Sequence, residues 1–132
     1  MKKNAQIATV LFLLSCLSFA QGLQSKEVLS WLEMVDSGKY AQSWDLAAPF
    51  FKSQVAKEDW QKGLTQVRKP LGKVLSRQIS NSDIRSSLPG APVGEYIVVT
   101  LNASFENMAR ATETVTLKKE GSDWQVVGYY IK

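Results

Sequence analysis

Two oppositely charged residues stand where apolar ones would be expected. Counting by twos, Leu75, Arg77 and Ile79 share one face of an extended segment, and Ala111, Glu113, Val115 and Leu117 share one face of another. If both apolar faces are buried, Arg77 and Glu113 are buried with them. Two such charges are tolerable only when paired and hydrogen-bonded. The pair could recognise an anion, since an Arg fork grips a carboxylate or phosphate with two parallel bonds, or it could do acid–base work at a cavity wall. The structural alternative is an ion pair that fixes sheet register.

The other groups with chemical potential are aromatic and acidic. Trp44 and Trp60 fall on helix faces predicted to turn toward the sheet, and Tyr130 lies near a strand end with a phenol to offer. With Arg77 and Glu113 they form the candidate ligand-binding set, an apolar floor with a few orienting polar groups. They are equally the residues that dominate a small core. Tyr96 has the opposite parity to Ile97, which predicts the outer face. Asp45, next to Trp44, is the candidate general base, because a carboxylate beside aromatic rings can have a raised pKa. Asp36, Asp59 and Asp83 read as turn or cap residues, and Arg68 and Lys69 as a helix-stop pair that favourably opposes the helix dipole.

Much chemistry is closed. The sequence has no His and a single Cys, Cys16. No imidazole base, no Ser-His-Asp triad and no His-ligated metal site can be built from it. There is no glycine-rich phosphate loop and no EF-hand spacing, so neither a cofactor nor a metal is expected.

The elements that must position these residues run from helices to strands. Ser25 is a plausible N-cap for a helix carrying Val28, Leu29, Trp31, Leu32 and Val35, which Gly38 stops. A short helix is expected over about 39–47, ended by Pro49, with a further turn at Phe50 and Phe51. Another is expected over 57–69, with Trp60, Leu64 and Val67 on one stripe and Pro70 and Gly72 as breakers. The period then changes to two. Strands are expected over 73–84, 95–105, 109–119 and 124–131, with a rigid loop at Leu88-Pro89-Gly90-Ala91-Pro92 and turns at Glu106-Asn107 and Glu120-Gly121-Ser122-Asp123. Helices followed by consecutive antiparallel strands make an α+β fold: N-terminal helices packed on a curved four-stranded antiparallel sheet. The expected core sets Ile97, Val99, Leu101, Val115 and Leu117 against Trp31, Leu32, Trp44 and Leu64.

The first twenty residues read as an address. Lys2 and Lys3 precede an uncharged apolar run from Ile7 to Leu17, too short to span a bilayer, which takes about 20 apolar residues. Ser18-Phe19-Ala20 then supplies small residues at a cleavage site. A signal peptide over 1–20 and a single domain over 21–132 are therefore expected, in a periplasmic or secreted protein. Leu13-Leu14-Ser15-Cys16 also resembles a bacterial lipobox, so lipidation at Cys16 is the alternative. The nominal charge of +4 owes part to Lys2 and Lys3, and no run of Lys or Arg longer than two follows residue 20. A nucleic-acid partner has little support.

The combination Trp31-Leu32, Tyr40-Ala41-Gln42-Ser43-Trp44-Asp45, Trp60, Arg68-Lys69-Pro70-Leu71-Gly72, Ser76-Arg77, Leu88-Pro89-Gly90, Gly94-Glu95-Tyr96, Glu113-Thr114-Val115-Thr116 and Gly128-Tyr129-Tyr130 resembles the bacterial family called domain of unknown function 4019. The resemblance covers about Val28 to Lys132. It implies a cystatin-like, nuclear transport factor 2-like cone, and it implies no reaction. That wider group includes ketosteroid isomerases and also binding and assembly modules without chemistry, so fold alone does not choose.

Three functions remain. The first is a non-catalytic binding or accessory module of the cell envelope, taking a small molecule, peptide or envelope protein in its cavity. The second is a carboxylate-based isomerase, dehydratase or hydrolase of small apolar substrates, with Asp45 as base and Arg77 or Tyr130 stabilising an oxyanion. The third is a sheet-mediated homodimer with Val98, Thr114 and Thr116 at its interface.

Overall fold

The computed structural model describes residues 24–132. The expected signal peptide and Cys16 lie outside the described residues. Among the described residues, four helices precede four strands. Helix α1 covers residues 24–36, α2 Tyr40–Asp45, α3 Pro49–Gln54 and α4 Lys57–Leu71; the strands are β1 Val74–Arg85, β2 Tyr96–Phe105, β3 Met108–Glu120 and β4 Asp123–Ile131. The sheet is an open antiparallel meander in the order β1-β2-β3-β4.

Helix α1 is already running at Gln24, so Ser25 lies within it and is not its N-cap. It ends as its sequence predicts. Gly38 takes a φ of 75°, and the bonds Lys39 N–H to Met34 O and Gly38 N–H to Val35 O close the last turn. Pro49 opens α3 at its first turn, where a missing N–H costs nothing. Pro70 does not break α4; it sits in the last turn, and Gly72, at φ 75°, makes the stop. The β2–β3 turn clasps this joint. Asn107 N–H donates to Leu71 O, Glu106 N–H to Lys73 O, and Lys73 N–H to Glu106 Oε1. The last carbonyls of α4 are thereby satisfied by a turn far along the chain.

The main core packs Ile97, Val99, Leu101, Val115, Leu117 and Val126 of the sheet against Val28, Trp31, Leu32, Val35 and Leu64 of the helices. A smaller cluster of Ala103, Phe105 and Ala111 fills the other end, beneath Leu71 and Met108. Three sequence expectations about facing are corrected. Trp44 is not in this core; it lies half-buried, its Nε1–H donating to Val55 O. The inward stripe of α4 is the partly buried Trp60 with the buried Leu64 and Arg68 at i, i+4, i+8, while Val67 is 47% exposed. Tyr96 is fully buried, because the proline loop returns over it and Pro92 O accepts its hydroxyl hydrogen bond.

Register shifts explain two further differences. One falls between Val74 and Ser76, so Leu75 is unpaired and exposed rather than facing inward with Arg77. Another falls at Thr116/Leu117: Leu117 pairs with Val126 but Val115 pairs with Tyr129. The inserted residue flips parity, so Tyr129 faces inward and Tyr130 outward.

Candidate functional site

Arg77 and Glu113 do meet. Arg77 stands on β1 opposite Ala103, and Glu113 on β3 opposite Leu101. The pair reaches across β2 beside the small side chain of Ala103. Arg77 Nε donates to Glu113 Oε1 at 2.6 Å and Nη2 to Oε2 at 3.1 Å. The guanidinium also grips a second carboxylate, at the end of α1: Nη1 donates to Asp36 Oδ2 at 2.6 Å and Nη2 to Asp36 Oδ1 at 2.9 Å. Arg68 of α4 adds Nη2 to Asp36 Oδ1 at 2.7 Å, and the Tyr129 hydroxyl of β4 donates to Glu113 Oε2. Five side chains from α1, α4, β1, β3 and β4 thus form one network of two cations, two anions and a phenol.

Burial makes this network demanding. Glu113 is 0% exposed, and Arg68 is also buried. Burial tends to raise the Asp36 carboxyl pKa, but hydrogen bonds from Arg77 and Arg68 and their charges outweigh it and hold the group below its ordinary value. Burial would lower Arg77, yet the bonds and charges of Asp36 and Glu113 raise it further above its normal range. Tyr129 is pushed well up by burial, then by the Glu113 charge and the hydrogen bond to it. Arg68 Nε and Nη1 are buried without a hydrogen-bond partner. The face of that guanidinium lies over the Phe105 ring, 5.0 Å from its centre, which offsets part of the cost.

Arg77, Asp36, Glu113 and the Tyr129 hydroxyl are therefore committed to one another, and Arg68 adds one bond to Asp36. Arg77 has at most one of its five N–H groups to spare. The arrangement neutralises itself and fixes how α1 and α4 sit on the sheet.

The other sequence-derived candidates are dispersed. Trp60 joins the aromatic column Phe51–Trp60–Trp31–Tyr129 that leads to Glu113, and its Nε1–H donates to Ser43 Oγ at 2.9 Å. Trp44 stands apart between Lys52 and Lys57, whose ammonium groups lie over its ring. Asp45 is half-exposed and paired with Lys57 at 2.9 Å. Tyr130 is 52% exposed on the outer face, away from Arg77 and Glu113. Thr114, expected at a dimer interface, is already buried within one chain.

Asp36, Arg68 and Tyr129 are the members that sequence reasoning missed. Each had a readable signal. Asp36 continues the Val28–Leu32 stripe, and Arg68 the Trp60–Leu64 stripe. Two core stripes ending in opposite charges next to a buried Arg–Glu pair predict a shared cluster. Tyr129 was hidden by the shift in β4.

The reverse side of the same rows carries a groove of about 580 Å³. The inward residues Arg77, Ala103 and Ala111 are paired across β1, β2 and β3. The residues flanking them point the other way: Ser76 and Gln78, Asn102 and Ser104, Arg110 and Thr112. Among the described residues, no cluster of His, Cys, Asp or Glu could hold a metal ion, and no helix is long and apolar enough to cross a membrane.

Helices followed by an open four-stranded antiparallel sheet, with a buried charge cluster between the layers, define an α+β protein of one compact plan. The chain belongs to the family described as protein of unknown function (DUF4019), whose sequence profile matches residues 27–129. No curated protein matches it.

Proposed function

We propose that this chain is a non-catalytic binding module, exported to the bacterial cell envelope and built on a cystatin-like cone. One observation carries the reading. The inward charged groups are locked in a self-neutral network, while a groove with unengaged polar side chains opens on the other face of the same strands. A general base needs a carboxylate poised beside substrate. Asp45 lies in an exposed ion pair instead. Export is supported by the basic start, the apolar run and the small residues before Gln21.

The test is a thermal-shift screen of the purified chain from Gln21 against glycan, peptide and lipid fractions of an envelope extract. A ligand that binds the folded state raises the melting temperature in proportion to ln(1 + [L]/Kd). A reproducible rise with one fraction supports the reading, and no rise with any fraction refutes it. Mass spectrometry of the exported protein should find Gln21 at the N-terminus; a diacylated Cys16 would overturn the cleavage site.

A second reading, pairing of two chains through outer sheet faces, is favoured by the exposed Tyr130 and the half-buried Val98, Thr100 and Thr116 on that face. A monomer by sedimentation at high concentration excludes it.

A further inference from the structure

The outer-face groove has a lining unusual for a sheet surface. Its six outward side chains are two amides, three hydroxyls and one guanidinium. Among the described residues, none of these side chains hydrogen-bonds to another part of the chain or joins an ion pair, although Gln78, Asn102 and Thr112 are cross-strand neighbours. Ser76, Gln78, Asn102 and Arg110 are exposed, and Ser104 and Thr112 partly so. Amides and hydroxyls both give and accept hydrogen bonds. A set of them within about 580 Å³ falls in the size range of small-ligand sites, roughly 300–1,000 Å³.

The lining also says what does not belong there. Among the described residues that line it, no apolar side chain is larger than alanine. A lipid chain or an apolar substrate would find no wall to bury against. The groove lies on a sheet face rather than along an edge, and its central strand β2 is paired on both sides, so a peptide in the groove would not be read by strand addition. The one charged side chain turned into the groove is Arg110, no carboxylate lines it, and Arg110 has no ion-pair partner among the described residues. A second cation, Lys132, is held beside Thr112 by backbone bonds in both directions. A planar guanidinium left free in this way matches a carboxylate bidentately.

We infer that this groove binds an acidic carbohydrate: a sugar-sized ligand whose hydroxyls are read by Ser76, Gln78, Asn102, Ser104 and Thr112 and whose single carboxylate is gripped by Arg110. This rests on the binding reading above and names the ligand class of its groove.

The test uses the full folded chain, isotope-labelled for NMR, with three probes: a uronic-acid disaccharide, its uncharged counterpart, and acetate. The acidic disaccharide should shift the side-chain amide signals of Gln78 and Asn102 and bind at least tenfold tighter than the neutral one. Acetate alone should leave those two amides unmoved. Arg110→Gln should reduce the acidic disaccharide to the affinity of the neutral one, with the melting temperature unchanged because Arg110 holds no other part of the fold. Equal affinity for the two disaccharides, or an Arg110→Gln chain that binds as before, overturns the inference. If a peptide or lipid fraction stabilises the protein while Gln78 and Asn102 ignore all three probes, the carbohydrate assignment fails and the binding reading stands. If no fraction and no probe acts, both fail.

Discussion

Replacing Arg77 by Met removes the one group that touches both carboxylates of the network. Four hydrogen bonds disappear, two to Glu113 and two to Asp36. The two acids are not left equally exposed to harm. Asp36 keeps Arg68 at 2.7 Å and has some access to water. Glu113 keeps only the Tyr129 hydroxyl and is fully buried, so its charge is left without a cation. Removing one partner of a buried pair costs about 3–5 kcal/mol, and most of that cost should fall on Glu113. For a domain of this size the loss corresponds to a fall in melting temperature of roughly 15–25 °C. The assay is urea unfolding followed by tryptophan fluorescence, with the midpoint compared at unchanged slope. A second variant isolates the cause. Adding Glu113→Gln to Arg77→Met discharges the stranded acid and should restore at least half of the lost stability, a recovery of about 1.5 kcal/mol or more. A loss below about 1 kcal/mol for Arg77→Met, with the slope unchanged, or a double variant no more stable than the single one, would refute this account of the charges as desolvated and interdependent.

The remaining predictions concern pH and one backbone joint. Because the native Asp36 pKa lies below its unfolded value of about 3.9, its contribution is present above that pH and is lost as pH falls through the native value; Asp36→Asn should lower stability at neutral pH by about 2–3 kcal/mol and flatten the acid limb of the urea midpoint. Tyr129 has the opposite sign. Its raised native pKa means that stability is intact below about pH 10, the unfolded value, and falls above it, so Tyr129→Phe should remove part of the alkaline decline in melting temperature. Gly72→Ala should cost about 1–3 kcal/mol, because φ is 75° and a Cβ would approach Glu106 Oε1 to 2.9 Å and Glu106 Cβ to 3.0 Å; thermal unfolding reads it directly.

The order and type of elements were legible because periodicity survives without knowledge of packing. The change from helical spacing before Gly72 to alternation after it marks the junction of α4 and β1, and the glycines at 38 and 72 mark helix ends through a conformation that other residues avoid. The Arg77–Glu113 contact was legible for the same reason, since both residues interrupt an apolar alternation. What stayed hidden depends on single-residue offsets and on tertiary covering. One inserted residue in β4 exchanges the roles of Tyr129 and Tyr130. The proline loop folds back over Tyr96, which parity alone leaves in solvent. Asp36 and Arg68 were assigned to a cap and a dipole, because local rules explain a charge at a helix end without asking what lies opposite it. The groove was illegible, since ordinary outward residues form it only when three strands lie side by side.

The charge network also sets an order of events in time. Asp36 waits for Arg77, 41 residues later in the chain, and Arg77 waits for Glu113, a further 36. Glu113 in turn receives its last hydrogen bond from β4, the final strand of the meander. A chain lacking β4 must either keep these ions in water or bury Glu113 with fewer hydrogen bonds, so it gains little by collapsing. Contacts this far apart in sequence close late and together. The network therefore closes fully only once β4 is in place beside β3.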